Sequence, residues 1–238
     1  MPADAGARRS VKRFLTTDAG LTFLLISLFA LLFVLYPLVE PRTITRYLLD
    51  ILALLVLISG AYTVSDRRRV LFLCIGLAAV TFSLQILLYV SPDRFLLMLR
   101  VASLMLFLSV VTGAVLYKVL RKGRVTAHRV GGAIAVYLML GLIWASAYSL
   151  LFIDDPASFD LGRPPEATDE LSEVQTEGMG QLVYFSFVTM TTLGYGDITP
   201  KSDAAGSLAV VQALTGQIYL AVILARIVSL LVTRPEEE

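Results

Sequence analysis

The sequence predicts an all-α membrane protein with six membrane-spanning helices and one shorter helix that enters the membrane without crossing it. Hydrophobic residues make up 57% of the 238 residues and charged residues only 16%, whereas soluble domains carry about 25% charged residues. Six apolar runs are long enough to cross a membrane as helices, and a seventh, residues 180–191, is too short. In lipid such runs must be helical, because a helix satisfies its own backbone hydrogen bonds.

The six long runs follow one another along the chain, and four of them contain no charged residue. They cover residues 20–39, 46–64, 70–90, 94–117, 130–153 and 204–225. Asp50 lies in the second run and Arg100 in the fourth. Both are expected near the outer ends of their helices, where an unpaired charge costs about 3 kcal/mol. The sequence therefore predicts a buried ion pair between Asp50 and Arg100.

The basic residues predict the orientation of the chain in the membrane. If the N-terminus is inside, the cytoplasmic segments contain most of the 20 Lys and Arg residues. Both termini are then cytoplasmic, in a bacterial inner (plasma) membrane. The expected order is a cytoplasmic N-terminus (1–19), a four-helix domain (20–117), a linker (118–129), a second unit (130–233) and a C-terminal tail (234–238). The second unit divides into an outer helix (130–153), an acidic outer segment (154–178), a short helix (180–191), a loop (192–197) and a last helix (203–233).

Several classes of function find no support in the composition. A net charge of +1 does not favour nucleic-acid binding. Cys74 and His128 are the single cysteine and the single histidine, and neither belongs to a nucleophile–base constellation or to a metal-ligand spacing. We therefore expect no enzymatic activity, no organic cofactor and no soluble regulatory domain in this sequence.

The segment after the short run carries the most specific motif. Residues 189–200 read Thr-Met-Thr-Thr-Leu-Gly-Tyr-Gly-Asp-Ile-Thr-Pro, which resembles the signature sequence of potassium channels. The resemblance extends over the short helix, the loop and the last helix, about residues 180–230. Leu193 stands where valine is commoner, a change that preserves a backbone-carbonyl filter.

Physical reasoning explains why such a loop suits potassium. An ion entering a narrow pore loses its water, and inward-pointing carbonyl oxygens replace that water. Consecutive carbonyls pointing one way require alternating backbone conformations, some with positive φ, which glycine adopts at little cost. Gly194 and Gly196 supply this freedom.

The resemblance assigns a role to each residue of the loop. It implies that K+ ions are coordinated by Thr192, Leu193, Gly194, Tyr195 and Gly196. Thr192 adds its hydroxyl as the innermost ligand, and Tyr195 packs behind the filter. Asp197 supports the filter through a bond to an aromatic residue of the short helix, and the matching position is Tyr184. One chain supplies one filter strand and four are needed, so the resemblance implies a four-fold homotetramer in a lipid bilayer.

The last helix contains the residues expected to control opening. Gly216 lies where the resembled family often has a hinge, and close helix packing is the alternative role. Ile227, Leu230 and Leu231 could form an apolar constriction that closes by dewetting.

The plan of six helices also resembles voltage-gated potassium channels, so the charges of the fourth helix matter. Arg94 and Arg100 are followed by uncharged residues as far as Lys118, whereas steep voltage gating needs about three or four charges per subunit. We therefore expect weak or absent voltage dependence. The alternatives are a voltage-gated potassium channel with a minimal sensor, in which Arg100 is a remaining sensor charge, and a transporter or membrane signalling protein in which the motif is accidental.

Overall fold

A computed structural model describes residues 20–35, 43–64, 67–120, 127–162 and 178–232, and these residues are almost entirely helical. Helix α1 covers residues 20–35, and its last part, Ala30–Leu35, is π-helical. The other helices are α2 (Thr43–Thr63), α3 (Arg68–Val90), α4 (Arg94–Leu120), α5 (Ala127–Asp154), α6 (Met179–Met190) and α7 (Asp203–Val232). A 3-10 turn, Pro156–Ser158, precedes strand β1 (Phe159–Asp160), which pairs antiparallel with β2 (Thr199–Pro200).

Four of the described helices, α3, α4, α5 and α7, are long and apolar enough to cross a membrane, by length and composition. The prediction of a mostly helical membrane protein is therefore confirmed. The described apolar parts of the first two runs, Gly20–Leu32 and Ala53–Thr63, are shorter. The first two predicted crossings consequently stay predictions.

The predicted linker (118–129) is described only at its two ends. Helix α4 continues to Leu120 and α5 begins at Ala127, so both helices include residues of the segment 118–129. Residues 121–126 lie outside the described residues, as do the predicted N-terminus (1–19) and tail (234–238).

The first four helices pack against the second unit of their own chain. At one end of the contact, Leu97 and Val101 of α4 share a buried cluster with Ile153 of α5. At the other end, a Cβ on Gly132 of α5 would lie 3.1 Å from Val119 of α4. Between these ends runs the main core, to which α1, α2, α4 and α5 all contribute; its fully buried members include Leu24, Leu28, Phe107, Val111, Val136 and Met139.

An aromatic cluster fixes α6 between α5 and the short β-ladder. The ring of Tyr148 in α5 lies 5.1 Å from that of Phe185 in α6 and 5.6 Å from that of Phe159 in β1, both in edge-to-face geometry. Such pairs contribute about 1 kcal/mol beyond the burial of their area. The cluster therefore fixes the position of the short helix from which the loop begins.

Candidate functional site

The loop that follows α6 has an alternating backbone. Its positive φ angles occur at every second residue: 60° at Thr192, 59° at Gly194 and 77° at Gly196. When residues alternate between left-handed and right-handed backbone conformations, successive peptide groups turn toward one side. Backbone dipoles of the same orientation are then brought close together. The loop therefore has the backbone form that a carbonyl-lined ion path requires.

The two glycines are needed for their torsion angles rather than for space. A Cβ built on Gly194 or Gly196 would meet no atom of the described chain within 4 Å. At these φ angles a side chain costs about 1–2 kcal/mol per residue. Thr192 adopts the same region with a side chain, which the sequence analysis did not foresee. Its N–H donates to Thr189 O at 3.1 Å and its Oγ1 to Thr191 O at 2.6 Å, and these bonds hold the strained residue in place.

The start of the loop is bonded to the last turn of α6. The N–H of Leu193 donates to Val188 O at 2.9 Å, and the N–H of Gly194 reaches the same oxygen at 3.4 Å. The last carbonyls of a helix lack partners within the helix, and the loop supplies them here. Any movement of α6 is therefore transmitted directly to the loop.

The whole loop is exposed in a single chain. Residues 191–197 are all exposed, and the Tyr195 side chain is 67% exposed. The predicted packing of Tyr195 behind the loop is therefore not made within one chain, and it stays a prediction.

The far end of the loop is held by Asp197. Tyr184 Oη of α6 donates to Asp197 Oδ2 at 2.8 Å, so the structure brings together the two residues that the resemblance pairs. On the other side, Gly162 has a φ of 71°, and a Cβ there would lie 2.9 Å from Asp197 O. Close backbone approach and positive φ together require glycine at residue 162.

An ion pair closes the short β-ladder beside the loop. Lys201 Nζ lies 3.1 Å from Asp160 Oδ2, and both side chains are about half exposed. The N–H of Gly162 donates to Asp160 Oδ1 at 3.1 Å. This backbone hydrogen bond, followed by the bond and charge of Lys201, lowers the pKa of the Asp160 carboxyl below its usual range.

Gly216 of α7 packs directly on the end of α6. A Cβ on residue 216 would lie 2.7 Å from Met190 O, closer than two such atoms can approach without movement. The geometry supports close packing, the alternative role of Gly216, and its predicted action as a hinge stays a prediction. Tyr137 Oη of α5 also donates to Met190 O, at 3.3 Å.

Sequence reasoning missed a buried polar group behind the loop. Tyr148, Ser186 and Gln212 come from α5, α6 and α7, and each is 0% exposed. Gln212 Nε2 donates to Ser186 Oγ at 2.7 Å, and Gln212 Oε1 accepts from Tyr148 Oη. A signal was present in the sequence, because Gln212 is a large polar residue inside a mostly apolar, uncharged run, although Gln217 of the same run gives the same signal.

Other predicted residues fall outside what the structure describes. Arg100 is half-buried in α4, but the side chain of Asp50 in α2 lies outside the described residues, so their ion pair stays a prediction. The same holds for the constriction, because the side chains of Ile227, Leu230 and Leu231 in α7 lie outside them too.

Comparison with known proteins assigns a class to the second unit. Residues 133–233 match the family model described as "Ion channel". The chain is 38% identical over 68 residues to "Two-pore potassium channel 1" of Arabidopsis thaliana, a match covering 29% of this chain and 19% of that protein. It is 33% identical over 114 residues to "Two pore potassium channel b" of Oryza sativa subsp. japonica, covering 48% of this chain and 27% of that protein.

The matched regions are thus a minor part of these relatives, since the chain spans only 19% and 27% of their lengths. No solved structure matches the chain. The family match and the four long apolar helices together indicate an all-α integral membrane protein with a segment similar to ion channels.

Proposed function

We propose that this chain is one subunit of a potassium-selective channel that conducts K+ passively across the membrane. The observation that carries the proposal is the alternation of positive φ at Thr192, Gly194 and Gly196. A backbone of this form offers consecutive carbonyl oxygens in place of water around a bare potassium ion. The ions are then coordinated by residues 192–196, with the hydroxyl of Thr192 as the innermost ligand.

Two observations support potassium rather than another ion. The loop reads Thr-Leu-Gly-Tyr-Gly-Asp, and the names of the relatives from Arabidopsis and rice attribute potassium to those proteins. The bond from Tyr184 to Asp197, 2.8 Å long, fixes the outer end of the loop. A fixed loop keeps its oxygens at the separation that suits one ion.

A homotetramer follows from the number of filter strands. The motif occurs once in this sequence, although the relatives are named two-pore channels, and four strands are needed to surround an ion. The apolar face that α7 leaves exposed in a single chain supports assembly; it includes Val211, Leu214, Ile218 and Val222. Native mass spectrometry in detergent should give a mass of four subunits, and a stable dimer would contradict this stoichiometry.

Weak or absent voltage dependence follows from the charges and the packing of α4. Arg100 is the one charged residue well inside the helix, and about 2.3 kcal/mol per charge per 100 mV is too little for steep gating. One face of α4 is buried in the main core through Phe107, Val111 and Val115, and the first two lie beside Gly60 of α2. Moving α4 would uncover this face. The open probability should therefore change little when the membrane potential is stepped from about −100 to about +100 mV. A steep change in open probability would favour a voltage-gated channel with a minimal sensor.

The proposal is tested by reconstituting the full chain in planar bilayers and measuring the reversal potential. With a tenfold K+ gradient, a potassium-selective channel reverses near the potassium equilibrium potential, about 59 mV from zero. With K+ on one side and Na+ on the other, the reversal should indicate strong preference for K+. Equal permeation of Na+ would refute the selectivity, and flux without channel currents would favour a transporter.

A further inference from the structure

The polar group formed by Tyr148, Gln212 and Ser186 is a continuous chain of hydrogen bonds through three helices. Tyr148 Oη of α5 donates to Gln212 Oε1 of α7. Gln212 Nε2 donates to Ser186 Oγ of α6 at 2.7 Å and to Ser186 O at 2.9 Å. Ser186 Oγ donates to Gly141 O at 2.6 Å, which returns the chain to α5.

Every polar atom in this chain of bonds has a partner. The carboxamide of Gln212 uses both of its N–H donors and its oxygen, and the Ser186 hydroxyl both accepts and donates. Bonds that run in one direction strengthen one another in a low-dielectric interior. Removing one member leaves its buried neighbours unpaired, so the three helices are held at one separation and one register.

The position of Ser186 gives these bonds influence over the loop. Ser186 lies six residues before Thr192, and its helix supplies Val188 O, which accepts from Leu193 N at 2.9 Å. Gln212 lies four residues before Gly216, whose Cα packs on Met190 at the end of the same helix. Helix α7 therefore holds α6 at two points, one of them by hydrogen bonds and the other by close packing.

We propose that Gln212 is a positioning residue for ion selection, which acts through Ser186 by fixing the short helix and hence the spacing of the loop carbonyls. The inference rests on the proposed potassium conduction. It concerns a side chain that touches neither the ion nor the loop. This role of Gln212 differs from plain stabilisation of the fold, because loss of the hydrogen bonds changes the ion selectivity and not only the amount of folded protein.

The test measures the Na+/K+ permeability ratio from bi-ionic reversal potentials of the full-length chain in bilayers. Gln212→Met keeps the volume and removes the bonds, and Tyr148→Phe removes a single oxygen atom. We expect each to raise the ratio at least about fivefold, the factor that corresponds to loss of one ordinary hydrogen bond. Gln217→Met is the matched control, because Gln217 is an exposed glutamine of the same helix; its ratio should equal that of the wild type. The double variant should add little to either single one, because both interrupt the same chain.

Each outcome decides the matter. A selective wild type with both variants at the wild-type ratio overturns the inference and leaves the proposed function intact. A wild type that does not discriminate between K+ and Na+ overturns both. If Gln212→Met fails to assemble, Tyr148→Phe decides: a raised ratio supports the positioning role, and an unchanged ratio with only lowered thermal stability shows that the bonds serve the fold alone.

Discussion

Replacing Gly216 by alanine perturbs the contact between α7 and the end of α6. The new Cβ would lie 2.7 Å from Met190 O and 2.8 Å from Met190 Cγ. The carbonyl belongs to the backbone and cannot rotate away, so a helix must shift. Overpacking of this kind costs about 1–3 kcal/mol, against which the better helix propensity of alanine returns about 1 kcal/mol. The net expectation is a loss of about 0–2 kcal/mol in each subunit.

Gly206→Ala is the matched control for this variant. Gly206 lies in the same helix, and a Cβ there would meet no atom within 4 Å, so it gains helix propensity without the clash. The difference in the free energy of unfolding between the two variants is therefore due to the clash alone, and it should be about 1–3 kcal/mol per subunit. Thermal unfolding in lipid nanodiscs should separate their melting temperatures by at least about 2 °C, with Gly216→Ala the lower.

The same pair of variants distinguishes packing from a hinge. Met190 lies two residues before Thr192, so a displaced carbonyl should also disturb the loop and raise Na+ permeability in Gly216→Ala. A hinge would respond differently, with a lower open probability at an unchanged permeability ratio. If Gly216→Ala melts together with Gly206→Ala and selects K+ as the wild type does, the packing account is wrong.

Three further changes test the loop and its surroundings. Gly196→Ala places a side chain at a φ of 77°, which costs about 1–2 kcal/mol per subunit. The tetramer should still elute at its normal size but lose discrimination between K+ and Na+. Retained discrimination would show that this residue is not in the filter. Tyr184→Phe removes the hydrogen bond to Asp197 of the loop, which contributes about 1 kcal/mol. The variant should speed the decay of sustained K+ current relative to Tyr62→Phe, a control variant at an exposed tyrosine. Equal decay rates argue against a supporting role of Tyr184. A backbone N–H and Lys201 lower the pKa of Asp160. The stabilisation of the folded protein by the ionised carboxylate is therefore complete above the usual carboxyl pKa and is lost as the pH falls through the lowered value. Acidification should lower the melting temperature of the wild type more than that of Asp160→Asn, and parallel curves of melting temperature against pH would contradict this.

The long helices could be predicted from the sequence because lipid leaves the backbone few choices. An apolar run such as residues 70–90 satisfies its hydrogen bonds only as a helix, and α3 covers Arg68–Val90. The short run predicted at 180–191 is α6, Met179–Met190. Its length excludes a crossing, and glycines 194 and 196 after it indicate a change of backbone conformation.

What the sequence could not predict depends on how helices rotate against one another. Gln212 faces Ser186 only because α7 lies on α6 with that side inward, and a rotation by one residue would aim it elsewhere. The same packing brings Gly216 against Met190. The positive φ of Thr192 also escaped prediction, because the statistics of φ favour glycine there and only the bonds to the end of α6 hold a threonine.

Anomalous scattering from crystals of the full chain grown with Rb+ in place of K+ tests the ion path most directly. The account predicts a row of anomalous peaks on a four-fold axis, each surrounded by carbonyl oxygens of residues 192–196 from four chains. Peaks absent from this axis, or loops that lie apart from any axis of symmetry, would contradict it.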